Sequence, residues 1–476
     1  MTRAVLSVAS ECAPLVKTGG LADVVGALPA ALAGQGWGMR TLIPGYPVVV
    51  EAAPGGKVVW SDPDLFGGPA AVRATRAAGL ELLVLHAPHL YERDGKIYND
   101  VDNNDWPDNP ERFAALSWVA AALAVDGTVD WRPEVVHVHD WQAALTPTYL
   151  KMHQSHVPCL LTIHNIAFHG AAPASRLASL RLPPERFTTD ALEFYGQINV
   201  LKAGIVDAHA ISTVSPTYAR ELLDPAFGMG LEGVIATRSG ALHGILNGID
   251  TQVWGPGQDP LIQVYKTPRG KARNRAALID AFGLEPGPSE GPLCIVVSRL
   301  SHQKGLDVLA DAVPGLVAGG GMLALLGTGD RVLEARFQAL AEQYPQVAVR
   351  IGYSEADSHR MFAGADAVLV PSRFEPCGLT QLYGLAYGAV PVVARTGGLA
   401  DTVIDANEAA LRSEVATGVQ FWPVSGEALG LAIDRLISLY RQPKVFAKIQ
   451  RNGMSQALGW GPSAATYAEL YDQLAA

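Results

Sequence analysis

Three cations in this chain stand in settings that suit the binding of an anion. Lys17 precedes two glycines in KTGGLADVV (17–25), and Arg299 and Lys304 lie in SRLSHQKG (298–305) after an apolar run. An arginine offers a planar fork to phosphate oxygens, and a lysine adds a compact charge. Solvated surface cations are the common alternative. The glycine after Lys304 and the helical pattern that follows it favour a phosphate site.

The first of these motifs recurs near the other end of the chain as RTGGLADTV (395–403). In both copies the glycine pair follows a predicted strand and precedes a predicted helix. Without a Cβ, glycines let backbone N–H groups approach a phosphate or a sugar, and a helix N-terminus favours negative charge. Two similar domains can also simply reuse a good strand-to-helix turn. Because Lys17 and Arg395 each lead a copy, we expect two loops that contact one ligand from both sides of a cleft.

The segment PSRFEPCGLTQLYGLAYG (371–388) carries the main acidic candidate, Glu375, in a loop between a strand and a helix. The N–H groups that open this helix are expected to form an anion-binding site. They belong to Gly378, Leu379 and Thr380. A lone glutamate is usually solvated, but beside these amides Glu375 is expected to face sugar hydroxyls.

Two further polar segments, HVHDWQ (137–142) and TIHNIAFHG (162–170), follow strands of the first half. Asp140 and His164 are expected to meet across the cleft from Glu375. A histidine at a strand end is as often structural as catalytic. The histidine spacing matches no metal site.

Aromatic residues supply possible stacking surfaces. Tyr353 ends the strand of IGY (351–353), where it suits either stacking on a purine or plain packing. Four more are expected near the cleft: Tyr91, Tyr98, Trp106 and Trp141. No G-x-G-x-x-G follows the first predicted strand and no P-loop motif occurs, which disfavours a dinucleotide oxidoreductase and a P-loop kinase.

The elements that must position these residues are short apolar runs, each followed by a helical pattern. They occupy 4–10, 40–44, 80–87, 135–140, 159–165 and 208–215, and then 293–300, 322–330, 347–353, 366–372 and 390–396. Runs that are apolar on both faces and spaced by helices predict parallel strands covered on both sides. The predicted fold class is α/β, with two Rossmann-like, doubly wound domains that face a deep cleft. Ligands bind at the carboxyl ends of the strands in such sheets.

Gly, Pro and Asp interrupt regular structure near NGIDTQVWGPGQDP (247–260), so the domains are expected to join there. We predict a first domain at 1–248, a second at 249–457, and a C-terminal helix at 458–476 that returns to the first domain. A length of 476 residues suits two domains of about 200–250 residues.

Composition narrows the function classes. Charged residues make up 17% of the chain, below the ~25% usual for soluble domains, and the net charge is −10. No Lys/Arg run occurs, which argues against nucleic acid or an anionic membrane as a partner. The four cysteines are scattered without a C-x-x-C pair, and the N-terminal apolar run is too broken for a signal peptide. We therefore expect a cytoplasmic protein without a bound metal.

In chain order, seven motifs resemble those of bacterial glycogen synthases, starch-synthase-like retaining glycosyltransferases of the GT-B fold. They are KTGGLADVVGALP, HVHDWQ, TIHNIAF, HGILNGID, VSRLSHQKG, SRFEPCGLTQLYGL and RTGGLADTV, and they run essentially end to end. The resemblance implies transfer of glucose from ADP-glucose, or sometimes UDP-glucose, to the non-reducing end of an α-1,4-glucan such as glycogen. It implies no cofactor.

The resemblance also assigns residues. Its catalytic group is Glu375, His164, Asp140, Arg299 and Lys304. Its donor-binding group is Lys17, Gly19, Gly20, Tyr353, Gly378, Leu379 and Thr380. The amides of Gly19 and Gly20 would lie against the glucosyl diphosphate, and His164 would act partly through its backbone carbonyl.

Two positions depart from related enzymes. Many related retaining glycosyltransferases carry a second glutamate where this chain has Tyr383, as the glycogen-synthase branch does, so Glu375 stands alone. Relatives often have a tryptophan at the position of His302. Without a carboxylate pair, front-face transfer is favoured over double displacement.

Three other functions remain open at this stage. A UDP-glucose-dependent glucosyltransferase of the same fold would use the same residues. A glycogen-phosphorylase-like enzyme shares the broad architecture but needs pyridoxal phosphate. A non-catalytic module that binds sugar nucleotides or glucans would use the same aromatic residues, although the set Lys17, Arg299, Lys304 and Glu375 favours catalysis.

Overall fold

The computed structural model describes residues 3–476. Residue contacts divide the chain into two compact units. The first comprises the chain up to Gly248 together with Trp460–Ala476, and the second comprises Ile249–Gly459. No helix within the described residues is long and apolar enough to cross a membrane.

The first unit contains twelve strands. They are β1 (Arg3–Val8), β2 (Trp37–Pro44), β3 (Lys57–Asp62), β4 (Ala70–Ala77), β5 (Leu80–His86), β6 (Val135–His139), β7 (Cys159–Ile163), β8 (Ala171–Pro173), β9 (Glu193–Phe194), β10 (Gln197–Asn199), β11 (Ala210–Thr213) and β12 (Leu242–Gly244). Nine of them form one sheet in the order β12-β11-β7-β6-β1-β2-β5-β4-β3. The other three form a small antiparallel sheet in the order β8-β10-β9.

Helices cover this large sheet. Those that precede the second unit are α1 (Gly20–Ala33), α2 (Pro47–Ala52), α3 (Pro88–Tyr91), α4 (Asn109–Asp126), α5 (Asp140–Ala143), α6 (Thr146–Met152), α7 (Val200–Asp207), α8 (Pro216–Glu221) and α9 (Glu232–Thr237). In α1 the buried residues Leu21, Val24, Leu28 and Leu32 recur every three or four positions, as expected for a helix with one apolar face.

The second unit contains one six-stranded sheet. Its strands are β13 (Leu293–Val297), β14 (Met322–Gly327), β15 (Val347–Ile351), β16 (Ala367–Val370), β17 (Val390–Ala394) and β18 (Val419–Phe421). Their order is β15-β14-β13-β16-β17-β18, and every pair is parallel. In β13 alternate residues enter two different buried clusters, which shows that both faces of the sheet are covered.

The helices of this unit lie on both faces of its sheet. They are α10 (Ala272–Phe282), α11 (Leu306–Ala318), α12 (Arg331–Gln343), α13 (Glu355–Gly364), α14 (Thr380–Tyr387), α15 (Gly397–Thr402), α16 (Glu408–Arg412), α17 (Gly426–Tyr440) and α18 (Pro443–Met454).

The final helix, α19 (Gly461–Leu474), belongs to the first unit. Its buried face packs against α1 and β2, where the rings of Tyr471 and Trp37 meet edge to face at 5.3 Å. The hydroxyl of Tyr471 also lies 2.7 Å from Nδ1 of the buried His137. The last helix therefore helps to enclose the polar interior beside β6.

The predicted α/β class with parallel sheets is confirmed. Within residues 3–476 the structure adds seven strands that the sequence pattern did not predict: β3, β4, β8, β9, β10, β12 and β18. Of these, β3 and β4 form the antiparallel edge of the large sheet, where β4 pairs with β3 on one side and with β5 on the other. Few of their residues are buried, since β3 has none and β4 has only Ala70 and Val72. They therefore lack the continuous apolar runs on which the prediction rested.

Candidate active site

The central ion pair of the second unit joins Lys304 to Glu375. Lys304 Nζ lies 2.5 Å from Oε2 of Glu375, and the hydroxyl of Ser372 donates to the same oxygen at 2.9 Å. Glu375 is only 7% exposed. Two loops therefore meet here, one after β13 and one after β16, at the carboxyl ends of neighbouring strands.

A glycine makes this meeting of loops possible. Gly305 has φ +65°, and a Cβ at this position would lie 2.0 Å from the carbonyl oxygen of Pro371. Only a residue without a side chain permits such an approach between backbones. The SHQKG loop thus brings Lys304 to Glu375 because its last residue is glycine.

Arg299 leaves the same strand end as Lys304, and its side chain is exposed. The next residue, Leu300, bridges to Gly329 in the loop after β14. Arg299 is therefore presented to solvent from a backbone that is fixed on both sides. An exposed guanidinium so placed is open to an anionic ligand.

The loop from Glu375 to α14 is fixed by Gln381. Its Nε2 donates to the carbonyl oxygens of Cys377 and Gly378 at 3.0 and 2.8 Å. The helix begins at Thr380, and its N-cap residue, Leu379, provides no side-chain cap. The first turn of a helix carries N–H groups without intrahelical partners, so this start suits an anion.

The second TGGLAD copy packs against this same loop. Gly397 and Gly398 are buried, and Cβ atoms on them would lie 2.0 and 2.3 Å from the carbonyl oxygens of Glu375 and Cys377. The N–H of Gly398 donates to the Glu375 carbonyl at 3.1 Å. That this glycine pair also approaches a ligand stays a prediction. Its glycines let the α15 backbone support the loop that carries Glu375.

In the first unit the buried carboxylate of Glu11 organises the other TGGLAD copy. It accepts hydrogen bonds from the N–H and the hydroxyl of Thr18, both at 2.5 Å, and from the N–H of Gly19 at 3.2 Å. The hydroxyl of Tyr98 donates to it at 2.6 Å. The amide of Gly19 is thus used within the protein, and the prediction that it faces the donor is not supported.

The glycines of this first copy face open space. A Cβ at either Gly19 or Gly20 would find no atom within 4 Å. Lys17 is partly exposed and pairs with Asp23 of the first turn of α1 at 2.7 Å. Hydrogen bonds to Glu11 therefore fix the backbone of the loop, while the Cα positions of Gly19 and Gly20 face open space. Both features suit a loop that binds a ligand.

Asp140 joins the strand ends of β6 and β7. Its backbone has φ +53°, and Oδ1 accepts hydrogen bonds from the N–H groups of His164 and Asn165 at 2.6 and 3.3 Å. Burial raises the pKa of Asp140 to about 7, and these backbone bonds oppose the rise. The structure therefore places Asp140 and His164 together, as the sequence predicts.

His164 also belongs to a row of three neighbouring histidines, with His139 and His137. Nδ1 of His139 lies 3.0 Å from Nε2 of His164, and His137 and His139 pack ring to ring at 4.2 Å. Burial lowers the pKa values of His137 and His164 to about 3 and that of His139 well below its ordinary value. All three rings are neutral at pH 7, so one nitrogen of the His139–His164 contact donates and the other accepts.

The aromatic predictions have mixed outcomes. Tyr353 is 74% exposed, which excludes plain packing, and its stacking on a purine stays a prediction. Tyr91 is in the core, where its hydroxyl donates to the carbonyl of Arg112, so its prediction as a cleft residue is wrong. Trp106 is covered by the guanidinium of Arg93 at 4.8 Å.

The structure thus forms two groups of candidate residues, one in each unit. Among residues 3–476 no three His, Cys, Asp or Glu side chains cluster as a metal site would require. Sequence reasoning missed Glu11, Ser372 and His139. Of these only Glu11 carries a signal, since it is an acid directly after an apolar strand and shortly before a glycine pair.

Comparison with known proteins is consistent across three lines. The starch synthase catalytic domain model matches residues 4–237, and the model of glycosyl transferases group 1 matches 285–453. The chain is 57% identical to the glycogen synthase of Paracoccus denitrificans (strain Pd 1222) over the full length of both. It is also 57% identical to the glycogen synthase of Jannaschia sp. (strain CCS1), with 99% of each chain covered.

A solved structure is similar over its whole length as well. The catalytic domain of starch synthase IV from Arabidopsis thaliana, bound to ADP and acarbose, superposes with a TM-score of 0.86 at 29% identity. The match covers 100% of both chains.

Proposed function

The chain belongs to the glycogen synthase family of glycosyltransferases, and we propose that it transfers glucose from ADP-glucose to the non-reducing end of an α-1,4-glucan with retention of configuration. The names of the full-length relatives support the polymer product. The ADP bound to the plant starch synthase supports adenosine as the donor's nucleoside.

The observation that carries the proposal is the Lys304–Glu375 pair beside the start of α14. A buried carboxylate that is held by an ammonium and a hydroxyl can accept hydrogen bonds from sugar hydroxyls. An ammonium and the N-terminus of a helix, at the carboxyl ends of the neighbouring strands β13 and β16, favour a diphosphate next to that sugar. A sugar bonded to a diphosphate is the ligand that satisfies both groups.

We assign the diphosphate to the cations of the second unit. Arg299 and Lys304 bind its oxygens, and the start of α14 at Leu379 and Thr380 stabilises the charge that grows as the sugar departs. Glu375 binds hydroxyls of the donor glucose. Gly378, with φ +71°, sets the direction of the α14 start.

Tyr353 stacks on the adenine in this assignment. Its exposed ring follows β15, and its hydroxyl donates to Glu355 at 3.1 Å, which orients it. Base stacking needs an accessible ring face rather than a hydrogen-bond pattern.

The residues of the first unit bind the sugar end of the donor. Lys17 and the backbone at Gly20 contact the glucosyl phosphate from the open loop. Asp140 and His164 line the glucose, and Asp140 acts by fixing the backbone N–H of His164. The neutral row of histidines adds hydrogen-bonding groups without placing a charge beside the sugar.

In the reaction, the bond between glucose C1 and the diphosphate oxygen breaks, and a bond from C1 to the acceptor's 4-hydroxyl oxygen forms. The departing diphosphate takes the acceptor proton, so atoms and charge balance. Positive charge grows on the sugar ring while negative charge grows on the leaving group. The cations and helix N–H groups lower the barrier because they are already oriented toward that leaving group.

The deciding experiment measures nucleotide release with glycogen as acceptor, with ADP-glucose and UDP-glucose run side by side. We expect release of ADP that depends on added glycogen, and an α-linked product by NMR. Faster turnover of UDP-glucose than of ADP-glucose would contradict the proposed donor and identify UDP-glucose in its place. Binding of glycogen without turnover of either donor would indicate a non-catalytic glucan-binding protein instead of an enzyme.

The variant Lys304→Ala tests the assignment of the diphosphate. Loss of one preorganised charge at a leaving group typically lowers kcat about 10²–10³-fold. We expect that loss of kcat, while unfolding in urea shows a stable second unit. Turnover equal to that of the parent would remove Lys304 from the mechanism.

A further inference from the structure

Two aromatic side chains of the first unit stand out into solvent near the proposed sugar site. Phe168 is 57% exposed, and Tyr195 is 86% exposed. They are linked through partly buried rings, since His169 meets Phe194 edge to face at 5.6 Å and Phe194 meets Tyr195 at 4.7 Å. We call these four residues the aromatic ledge.

The ledge is rigid at both ends. The loop that bears Phe168 begins at His164, whose N–H is bound by Asp140, and ends at Gly170, which packs directly on Trp141. A Cβ at Gly170 would lie 2.3 Å from the Trp141 ring. Phe168 is therefore exposed because of a fixed loop. It lies four residues along the chain from His164, and its N–H donates to the carbonyl of Asn165 at 3.4 Å.

Tyr195 occupies a position that folding alone does not favour for an aromatic residue. It forms the turn between β9 and β10 with Gly196, and both have positive φ, +49° and +79°. Two-residue turns of this kind prefer Asn-Gly. A tyrosine with a left-handed backbone and a solvent-exposed ring does not stabilise the folded state, which indicates a role for the ring other than folding.

The ring neighbours indicate an uncharged, hydroxyl-rich ligand. The segments 164–170 and 193–199 contain no lysine or arginine, and their polar side chains are mostly amides and histidines. Burial lowers the pKa of His169 and so keeps it neutral. Lys202 contacts these segments but is buried and donates to the backbone carbonyls of Thr189 and Glu193, so it offers no exposed charge to a phosphate or an acidic peptide. Sugar hydroxyls can bond to Asn165 and Gln197.

We propose that the aromatic ledge binds glucosyl units of the acceptor α-1,4-glucan beyond its reacting end. This inference rests on the proposed function. The C–H faces of pyranose rings stack on Phe168 and Tyr195, which removes apolar surface of both partners from water. The ledge thereby makes affinity depend on acceptor length, because it contacts glucosyl units beyond the reacting one.

The test compares maltoheptaose with maltose on four variants. Tyr195→Asn deletes the ring and supplies the residue that the turn prefers, so it keeps the fold. Tyr195→Phe keeps the ring, Phe168→Ala removes the second platform, and Val129→Ala changes an equally exposed apolar side chain elsewhere in the first unit.

Calorimetric titration gives the dissociation constant for each sugar, and transfer assays at saturating donor give KM and kcat. We expect Tyr195→Asn and Phe168→Ala to weaken maltoheptaose about 5–20-fold, the loss typical of a stacked ring. Maltose affinity, kcat and the donor KM stay unchanged, and Tyr195→Phe and Val129→Ala match the parent.

Equal maltoheptaose affinity in parent and Tyr195→Asn would overturn the ledge. An equal loss for maltose and maltoheptaose would also overturn it, since that result marks a general structural effect. If the parent transfers glucose from neither donor, the proposed function fails. The titrations still decide the ledge in that case, because they need no turnover.

Discussion

The two TGGLAD segments, 18–23 and 396–401, share six residues but differ in what surrounds their glycines. In the first segment a Cβ on either glycine would meet no atom within 4 Å. In the second it would meet the carbonyl oxygens of Glu375 and Cys377 at 2.0 and 2.3 Å. The same glycine pair thus borders open space in one unit and another loop of the protein in the other.

The residue after each segment continues the difference. Val24 is fully buried among apolar side chains of α1 and α19. Thr402 instead donates to the carbonyl of Gly398 at 2.6 Å and accepts from Nε2 of Gln381 at 3.2 Å. The second segment is therefore bonded into the structure that holds Glu375, whereas the first is bonded to Glu11 through Thr18 and Gly19.

The largest effect is expected for Gly397→Ala. The new Cβ would overlap a backbone oxygen, and φ of +42° disfavours any side chain. We expect a loss of about 3 kcal/mol or more in the free energy of unfolding of the second unit. Urea unfolding measures it, with Gly20→Ala as the matched control. Similar stability of the two variants would show that the segments do not differ as described.

The next largest effect is a difference between the two units in how their stability depends on pH. The row of buried histidines lies in the first unit. His137, His139 and His164 have pKa values below the ordinary 6.5, so the unfolded chain binds more protons between about pH 3 and 6.5. Asp140, with its pKa raised to about 7, binds a proton in the folded state and opposes one of these three. The stability of the first unit therefore falls as pH drops from 6.5, by roughly 2–3 kcal/mol per pH unit.

Asp140→Asn is the control for this pH dependence. The amide oxygen can still accept from the N–H of His164, but the opposing proton is lost. We expect a steeper loss of stability below pH 6.5, together with a gain of about 1–2 kcal/mol at pH 8, where the parent must bury a charge. Thermal unfolding across pH 4.5–8 measures both. A profile identical to the parent's would show that Asp140 titrates normally.

A smaller effect is expected when the second segment is given the residue of the first. Thr402→Val removes one donated and one accepted hydrogen bond at nearly constant shape, which costs about 1 kcal/mol. It also loosens Gln381 and the loop at Glu375, so the donor KM should rise. Urea unfolding and donor titration measure the two effects. A change in stability without any change in KM would limit the role of Thr402 to folding.

The sequence predicts the fold well because the signal is local. Both faces of β13 and its neighbours are buried, so their apolar runs are continuous and easily recognised. The antiparallel edge of Lys57–Asp62 and Ala70–Ala77 escapes prediction because few of its residues are buried.

The candidate site is predictable only in part. Motif spacing predicts that Lys304 and Glu375 lie at strand ends, but their contact depends on the approach of Gly305 to Pro371. Two identical hexapeptides cannot reveal different surroundings, because those surroundings come from other parts of each unit. Glu11 was missed for the same reason, since its partners Thr18 and Tyr98 come together only in the folded chain.

The most direct test of the central claim is the affinity of Gly20→Ala for ADP-glucose. The account predicts stability within about 0.5 kcal/mol of the parent, because the Cβ meets no protein atom. It predicts donor binding at least about 10-fold weaker, equivalent to about 1.4 kcal/mol, because that space belongs to the ligand. Unchanged affinity for ADP-glucose would contradict the claim that the first TGGLAD segment is a ligand-binding loop.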